Sequence, residues 1–208
     1  MLDKIISEVD FALKLFTVPQ KGLRTSPSEK ITSTNNNLSG EEQKKIARLM
    51  RVNHTGEVCA QALYRGQLFF NSDKITEKAL THAAFEEIDH LNWCDQRIKE
   101  LDGNTSRLNP IFYVSSFSIG AIASKIDNKF NLGFLEETEK QVTSHLEGHI
   151  KTIPKSDKKT HAILEQMKYD EQCHQKTASS LGSKKLPSFF QKLMNITSKL
   201  MTKATYWI

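Results

Sequence analysis

Two short stretches, FEEIDH at residues 85–90 and YDEQCH at residues 169–174, repeat one pattern far apart in the chain. Each sets a Glu three residues before a His, as Glu87/His90 and Glu171/His174. Each also places another acid, Glu86 or Asp170, directly before that Glu. Residues three apart on a helix are neighbours on one face, so each stretch aims a carboxylate and an imidazole the same way. Such pairs are weak signals alone. Their setting decides the fold.

The first pair falls in a predicted helix from about 75 to 101, which follows another from about 41 to 70. That earlier helix opens at SGEE (39–42), where Ser39 and Glu42 have capping-box spacing. The second pair falls in a predicted helix from about 157 to 181, between Pro154 and Gly182, and a helix from about 133 to 153 precedes it. Short connections make each couple an antiparallel hairpin. The leading helix of each hairpin offers one further carboxylate, Glu57 in RVNHTGEVCA (51–60) and Glu139 in EETEKQV (136–142). The spacing from Glu57 to Glu87 nearly matches that from Glu139 to Glu171. A Glu followed by Glu-x-x-His, given twice, is the donor set of a ferritin-like di-metal carboxylate protein. The fold expected is therefore all-α, a ferritin-like four-helix bundle of two helical hairpins.

Within that set, Glu87 and Glu171 are expected to bridge two ions, because each has a His on its own face. Glu57 and Glu139 would each end one ion, and His90 and His174 would each cap one. Oxygen-rich donors with some nitrogen suit iron or manganese, and no paired-cysteine motif points to a zinc ribbon or an iron–sulfur cluster. Glu86 and Asp170 read as acceptors for the second ring N–H of a histidine across the bundle, fixing its tautomer. His54 and His145 are further candidates for that outer ring. Tyr64 and Tyr169 are expected mainly to pack, His82 and His161 to lie at the surface, and Cys173 to point away.

The 208 residues bound one domain with appendages, 38% hydrophobic and 25% charged. Asp3, Glu8 and Asp10 interrupt the apolar start, so no secretory pattern opens the chain, and the three cysteines are an odd number without motif spacing. Both favour a reducing cytoplasm. Residues 1–16 read as an amphipathic helix with Leu2, Ile5, Ile6, Val9, Leu13 and Phe16 in register. Residues 17–40 read as a flexible linker and 41–208 as the bundle. Two helices in the bundle region, at about 108–126 and 187–206, read as membrane-interface elements. The first contains LNPIFYVSSFSIGAIAS (108–124), 17 uncharged residues, short of the ~20 needed to span a bilayer. The second lies in a tail that from Gly182 onward carries five lysines and no Asp or Glu, in a chain of net charge +5. Basic and apolar together, it reads as a basic amphipathic helix for an anionic membrane surface rather than for nucleic acid.

RVNHTGEVCAQALYRGQ, EEIDHLNWCDQRIKEL, NPIFYVSSFSIGAIAS, GFLEETEKQV and DEQCH, in that order, closely resemble the bacterial demethoxyubiquinone hydroxylase family, membrane-bound di-iron enzymes of ubiquinone biosynthesis. The resemblance covers about residues 20 to 208. Carried over residue by residue, it puts iron ligands at Glu57, Glu87, His90, Glu139, Glu171 and His174, the same six. It implies two iron ions per chain and hydroxylation of a polyprenyl demethoxyubiquinol ring with O2 and an external reductant. It also implies peripheral attachment to the cytoplasmic side of the cell membrane, with a homo-oligomer or a biosynthetic complex as open alternatives. The rival readings are a ferritin- or rubrerythrin-like iron-handling protein and a non-enzymatic quinone-binding scaffold. Membrane fractionation, iron content and quinol-dependent O2 uptake separate the three.

Overall fold

The computed structural model describes residues 2–32 and 38–208. Among them the chain is helical throughout: α1 (Leu2–Thr17), α2 (Gly40–Phe69), α3 (Lys74–Glu100), α4 (Asn109–Ser124), α5 (Asn128–Thr152), α6 (Lys158–Ser180) and α7 (Ser188–Trp207). α2 pairs with α3 and α5 with α6, and the hairpins close on each other through α3 against α6 and α2 against α5. α4 joins the hairpins by packing along α2, and α7 returns over α2 and α5.

Short side chains set the helix starts by accepting N–H groups that the first turn leaves free. Ser39 Oγ accepts from Glu42 N while Glu42 Oε2 accepts from Ser39 N at 2.8 Å, completing the capping box. Asp73, Asp127 and Asp157 cap α3, α5 and α6 in the same way. The Asp127 cap explains a difference from the sequence reading. α5 begins at Asn128, not near Gly133, because Asp127 Oδ1 accepts from Phe130 N at 2.8 Å.

Two layers of the core flank the middle of the bundle. One contains Ile46, Met50, Trp93, Ile98, Leu146, Leu164 and Met167. The other contains Leu63, Tyr64, Leu80, Phe130, Phe134, Leu135 and Ala178. On each of the four bundle helices the segment between these layers carries the acidic residue singled out above.

α4 is held against α2 at backbone contact. A Cβ on Gly120 would collide with the Leu63 carbonyl oxygen and lie 2.9 Å from Gln67 N, and one on Gly66 would collide with the Phe117 carbonyl oxygen. Only residues without a side chain permit this crossing.

One further expectation changes. Of residues 17–40, numbers 33–37 lie outside the described residues, but the stretch around Gly22–Ser28 is a docked strap rather than a flexible linker. Leu23 N donates to Asp89 Oδ1 at 2.6 Å, and Ser26 and Ser28 are buried with their hydroxyls 2.8 Å apart. A charged anchor on the bundle outweighs the polar composition that suggested a linker. α1, in turn, docks by Phe11, Ala12 and Leu15 against the cluster containing Val58, Leu91 and Tyr113, and by Glu8 against Arg65 at 2.6 and 2.8 Å. Leu2, Ile5, Ile6, Val9, Leu13 and Phe16, the face read from the sequence, stay exposed.

Candidate metal centre

The bundle brings all six acidic and imidazole residues into its middle, each at most 5% exposed. Glu57 comes from α2, Glu87 and His90 from α3, Glu139 from α5, and Glu171 and His174 from α6. Their donor atoms form two overlapping groups, Glu57/Glu87/His90/Glu171 and Glu87/Glu139/Glu171/His174, each with its atoms within 4.8 Å of one another. His90 Nδ1 lies 3.1 Å from Glu87 Oε2, 3.2 Å from Glu171 Oε1 and 3.7 Å from Glu57 Oε2. His174 Nδ1 lies 3.2 Å from Glu171 Oε2 and 3.7 Å from both Glu87 Oε1 and Glu139 Oε1. Glu87 and Glu171 belong to both groups, which is the position a bridging carboxylate needs.

The outer nitrogens are also engaged. His90 Nε2 is 3.0 Å from Asp170 Oδ2, and His174 Nε2 is 2.6 Å from Glu86 Oε2. Each contact crosses between α3 and α6, and each carboxylate can accept an Nε2–H, leaving Nδ1 as a lone-pair donor towards the centre. His54 and His145 do not join this ring. His54 Nδ1 accepts from Asn109 at 3.3 Å, at the start of α4, and its burial brings its pKa down to about 4. His145 stands six residues beyond Glu139, roughly 120° round the helix, and stacks on His149 with ring centroids 4.0 Å apart. Tyr169 is exposed. Tyr64, expected mainly to pack, is fully buried and donates its hydroxyl to Glu139 Oε1. Its signal was its place two turns after Glu57 on the same face. Arg24 and Asp89 were missed altogether: Arg24 reaches Asp89, Asp170 and Glu86 from the strap.

The donor set fits a pair of divalent cations on charge grounds. Four buried carboxylates and two neutral imidazoles carry four negative charges, which two divalent ions cancel; isolated buried charge is otherwise prohibitive. Glu87 Oε1 is buried with no hydrogen-bond partner among the described residues, as expected of an atom shaped for a cation. Without ions, protons do the cancelling. Burial, then the charge of Glu87, lifts Glu57 well above the usual carboxylate range, and burial with Glu171 does the same to Glu139. Burial opposes a charge on His174, but Glu171 and Glu86 outweigh it and raise its pKa to about 11. Burial likewise opposes His90, but Glu87, Asp170, Glu171 and Glu57 hold it well above its ordinary value. Burial would raise Glu171, yet hydrogen bonds from His174 and His90 keep it well below the usual range.

Burial and the neighbouring carboxylates thus favour protons on Glu57, Glu139, His90 and His174 in the metal-free protein. Loading two divalent ions must expel those protons, so metal affinity rises with pH and falls as pH falls. Calorimetry of Fe(II) binding in two buffers of different ionisation enthalpy should detect a net release of protons. Affinity unchanged between about pH 6 and pH 8 would contradict this account.

A mainly apolar cavity of about 350 Å³ lies between α2, α4, α5 and α7 and reaches Glu57. Leu63, Phe112, Ile119, Phe134 and Met201 are among its lining residues, as is His145. A larger hollow of about 640 Å³ is bordered by Arg51, Asp95, Lys99, Arg107 and Trp207, and none of the six clustered residues lines it. Of the two, the apolar cavity is the one bordered by a member of the cluster.

Comparison with known proteins points the same way. The family model described as "Ubiquinone biosynthesis protein COQ7" matches residues 44–205, a span holding all six clustered residues. The chain is 48% identical over 209 aligned residues to the 3-demethoxyubiquinol 3-hydroxylase of Legionella pneumophila (strain Corby), covering all of this chain and 97% of that one. It is 45% identical over 207 residues to proteins of the same name from Ectopseudomonas mendocina (strain ymp) and Pseudomonas putida (strain GB-1), covering all of this chain and 96% of each. A doubled carboxylate–histidine set in a four-helix bundle and full-length similarity lead to one conclusion: the chain belongs to the COQ7 family of ubiquinone biosynthesis proteins.

Proposed function

We propose that the chain is a 3-demethoxyubiquinol 3-hydroxylase that inserts one oxygen atom of O2 into the ring of a membrane-held demethoxyubiquinol, with an external reductant supplying electrons. The observation that carries this reading is the apolar cavity. It joins a buried acidic centre to α4 and α7, both of which carry exposed apolar side chains. Two iron ions held by Glu57, Glu87, His90, Glu139, Glu171 and His174 would supply the activation of O2. The protein's own part is to orient and exclude. Asp170 and Glu86 hold the imidazole tautomers, Tyr64 donates a proton-bearing hydroxyl to Glu139, and the two apolar layers keep bulk water from the centre. Phe112, Phe134 and Leu63 give a flat ring an apolar slot that ends at Glu57.

No helix among the described residues is long and apolar enough to cross a membrane. A polyprenyl tail leaves lipid at a cost of ~0.8 kcal/mol per CH₂, so the enzyme must meet its substrate at the bilayer surface. Ile111, Val114 and Ile122 on α4, and Phe189, Ile196 and Leu200 on α7, are exposed where such a surface would lie. Lys192, Lys199 and Lys203 on α7 add attraction to anionic headgroups. The three free cysteines accord with the cytoplasmic face of the cell membrane.

The test is reconstitution. Iron-loaded protein added to anionic vesicles holding demethoxyubiquinol and a reductant should consume O2 and form the hydroxylated quinol. A soluble multi-subunit particle that stores iron and leaves the quinol untouched would overturn the proposal. In flotation assays, Asp at Ile111, Val114 and Ile122 together should cut vesicle binding by at least ~100-fold, since each apolar side chain buried is worth ~1.5–3 kcal/mol. Raised salt should weaken binding of the unaltered protein more modestly. Undiminished flotation of the triple variant would remove α4 from the membrane contact.

A further inference from the structure

Asp170 and Glu86, the carboxylates facing the outer nitrogens of His90 and His174, are themselves held from outside the bundle. Arg24 donates through one terminal nitrogen to Asp170 Oδ2 at 2.9 Å, and the same nitrogen lies 3.4 Å from Glu86 Oε1. Its Nε donates to Asp89 Oδ2 at 2.8 Å, while the backbone N–H groups of Leu23 and Arg24 donate to Asp89 Oδ1 at 2.6 and 3.2 Å. The guanidinium also lies over Trp93, its carbon 4.9 Å from the ring centroid. A Cβ on Gly22 would stand only 2.6 Å from Asp89 Oδ1, so the strap reaches this anchor because residue 22 has no side chain.

We propose that Arg24 is a positioning residue for the metal centre, one guanidinium that holds the carboxylate partners of both histidines in place. Its contacts reach both sides of the doubled site, His90 through Asp170 and His174 through Glu86. Without it, Glu86, Asp89 and Asp170 lose the cation that draws them together, and among the described residues of the strap Arg24 is the one whose contacts reach Asp170 and Glu86. A planar fork can serve several carboxylates at once, whereas a lysine ammonium is a single point charge. Carboxylates behind metal-bound histidines fix ring orientation, and losing them typically weakens metal binding 10–100-fold. Arg24 lies outside residues 44–205, the span of the family model. The contacts therefore give the segment before the bundle a part in a centre built wholly within it. The inference rests on the metal reading proposed above.

The test compares the full chain with Arg24→Ala, Arg24→Lys and Ser26→Ala. Ser26→Ala loosens the buried Ser26–Ser28 contact of the strap and touches none of the carboxylates. Fe(II) titration, Mössbauer spectra of the loaded protein and melting of the metal-free protein are read for each. Arg24→Ala should bind Fe(II) about tenfold more weakly with altered quadrupole splittings. Arg24→Lys should recover only part of both, and Ser26→Ala should change melting alone. Wild-type affinity and spectrum in Arg24→Ala, whatever its melting temperature, would make Arg24 a strut and end the proposal. Should Arg24→Ala fail to fold, the same two readings unchanged in Arg24→Lys would end it equally. Failure of the unaltered protein to bind Fe(II) would instead defeat the metal reading itself.

Discussion

Glu171→Ala should abolish the paired metal site and quinol hydroxylation together. Glu171 belongs to both donor groups, and its oxygens lie 3.2 Å from Nδ1 of His90 and of His174. Among the described residues, Glu87 is the other side chain in such a shared position. Alanine removes two donor atoms at once and takes one negative charge from a centre balanced for two divalent ions, whereas glutamine would still offer an oxygen. The expected loss exceeds the 10–100-fold typical of an outer partner, and bound metal should fall to less than half that of the unaltered protein. Metal analysis of the purified variant and product assay on demethoxyubiquinol vesicles measure both. Full activity would remove Glu171 from the ligand set.

Gly120→Ala should produce a large structural effect for a single added methyl group. The new carbon has no room, because it meets the backbone of α2 at Leu63 and Gln67, and backbone cannot swing aside as a flexible side chain can. α4 must move outward, carrying Phe112 and Ile119 of the cavity wall with it. Overpacking of this kind costs ~1–3 kcal/mol or more, which for a chain of this length lowers melting by roughly 2–4 °C per kcal/mol. Quinol KM should rise as the slot widens. Gly148→Ala is the matched control: a Cβ there meets nothing within 4 Å, and helix propensity should raise stability by up to ~1 kcal/mol. Equal melting temperatures for Gly120→Ala and the unaltered chain would refute the backbone-contact account.

What could be read in advance follows from which interactions are local. Glu87/His90 and Glu171/His174 were visible because three residues on a helix fix a shared face, and Glu57 and Glu139 because the hairpins repeat at nearly equal spacing. Ser39 was visible because its capping partner is three residues away. Asp127 was equally local but was masked by Gly133, read as the start of the helix. The outward turn of α1 was not legible. Apolar periodicity shows that a face exists but not which neighbour it meets, and Phe11 and Leu15 proved the better fit to the groove beside Tyr113. Arg24 was out of reach for a stronger reason: its carboxylate partners are 62, 65 and 146 positions away, and no local pattern announces a salt bridge closed by the tertiary fold.

The two halves of the centre present near-twin coordination kits, three glutamates and one histidine each, with two glutamates held in common. Yet Glu57 borders the apolar slot and Glu139 does not, while Glu139 alone receives the Tyr64 hydroxyl. Duplicated hairpins thus furnish matched inner chemistry and unmatched surroundings. Any division of labour between the halves would then come from who can approach them rather than from what grips the ions.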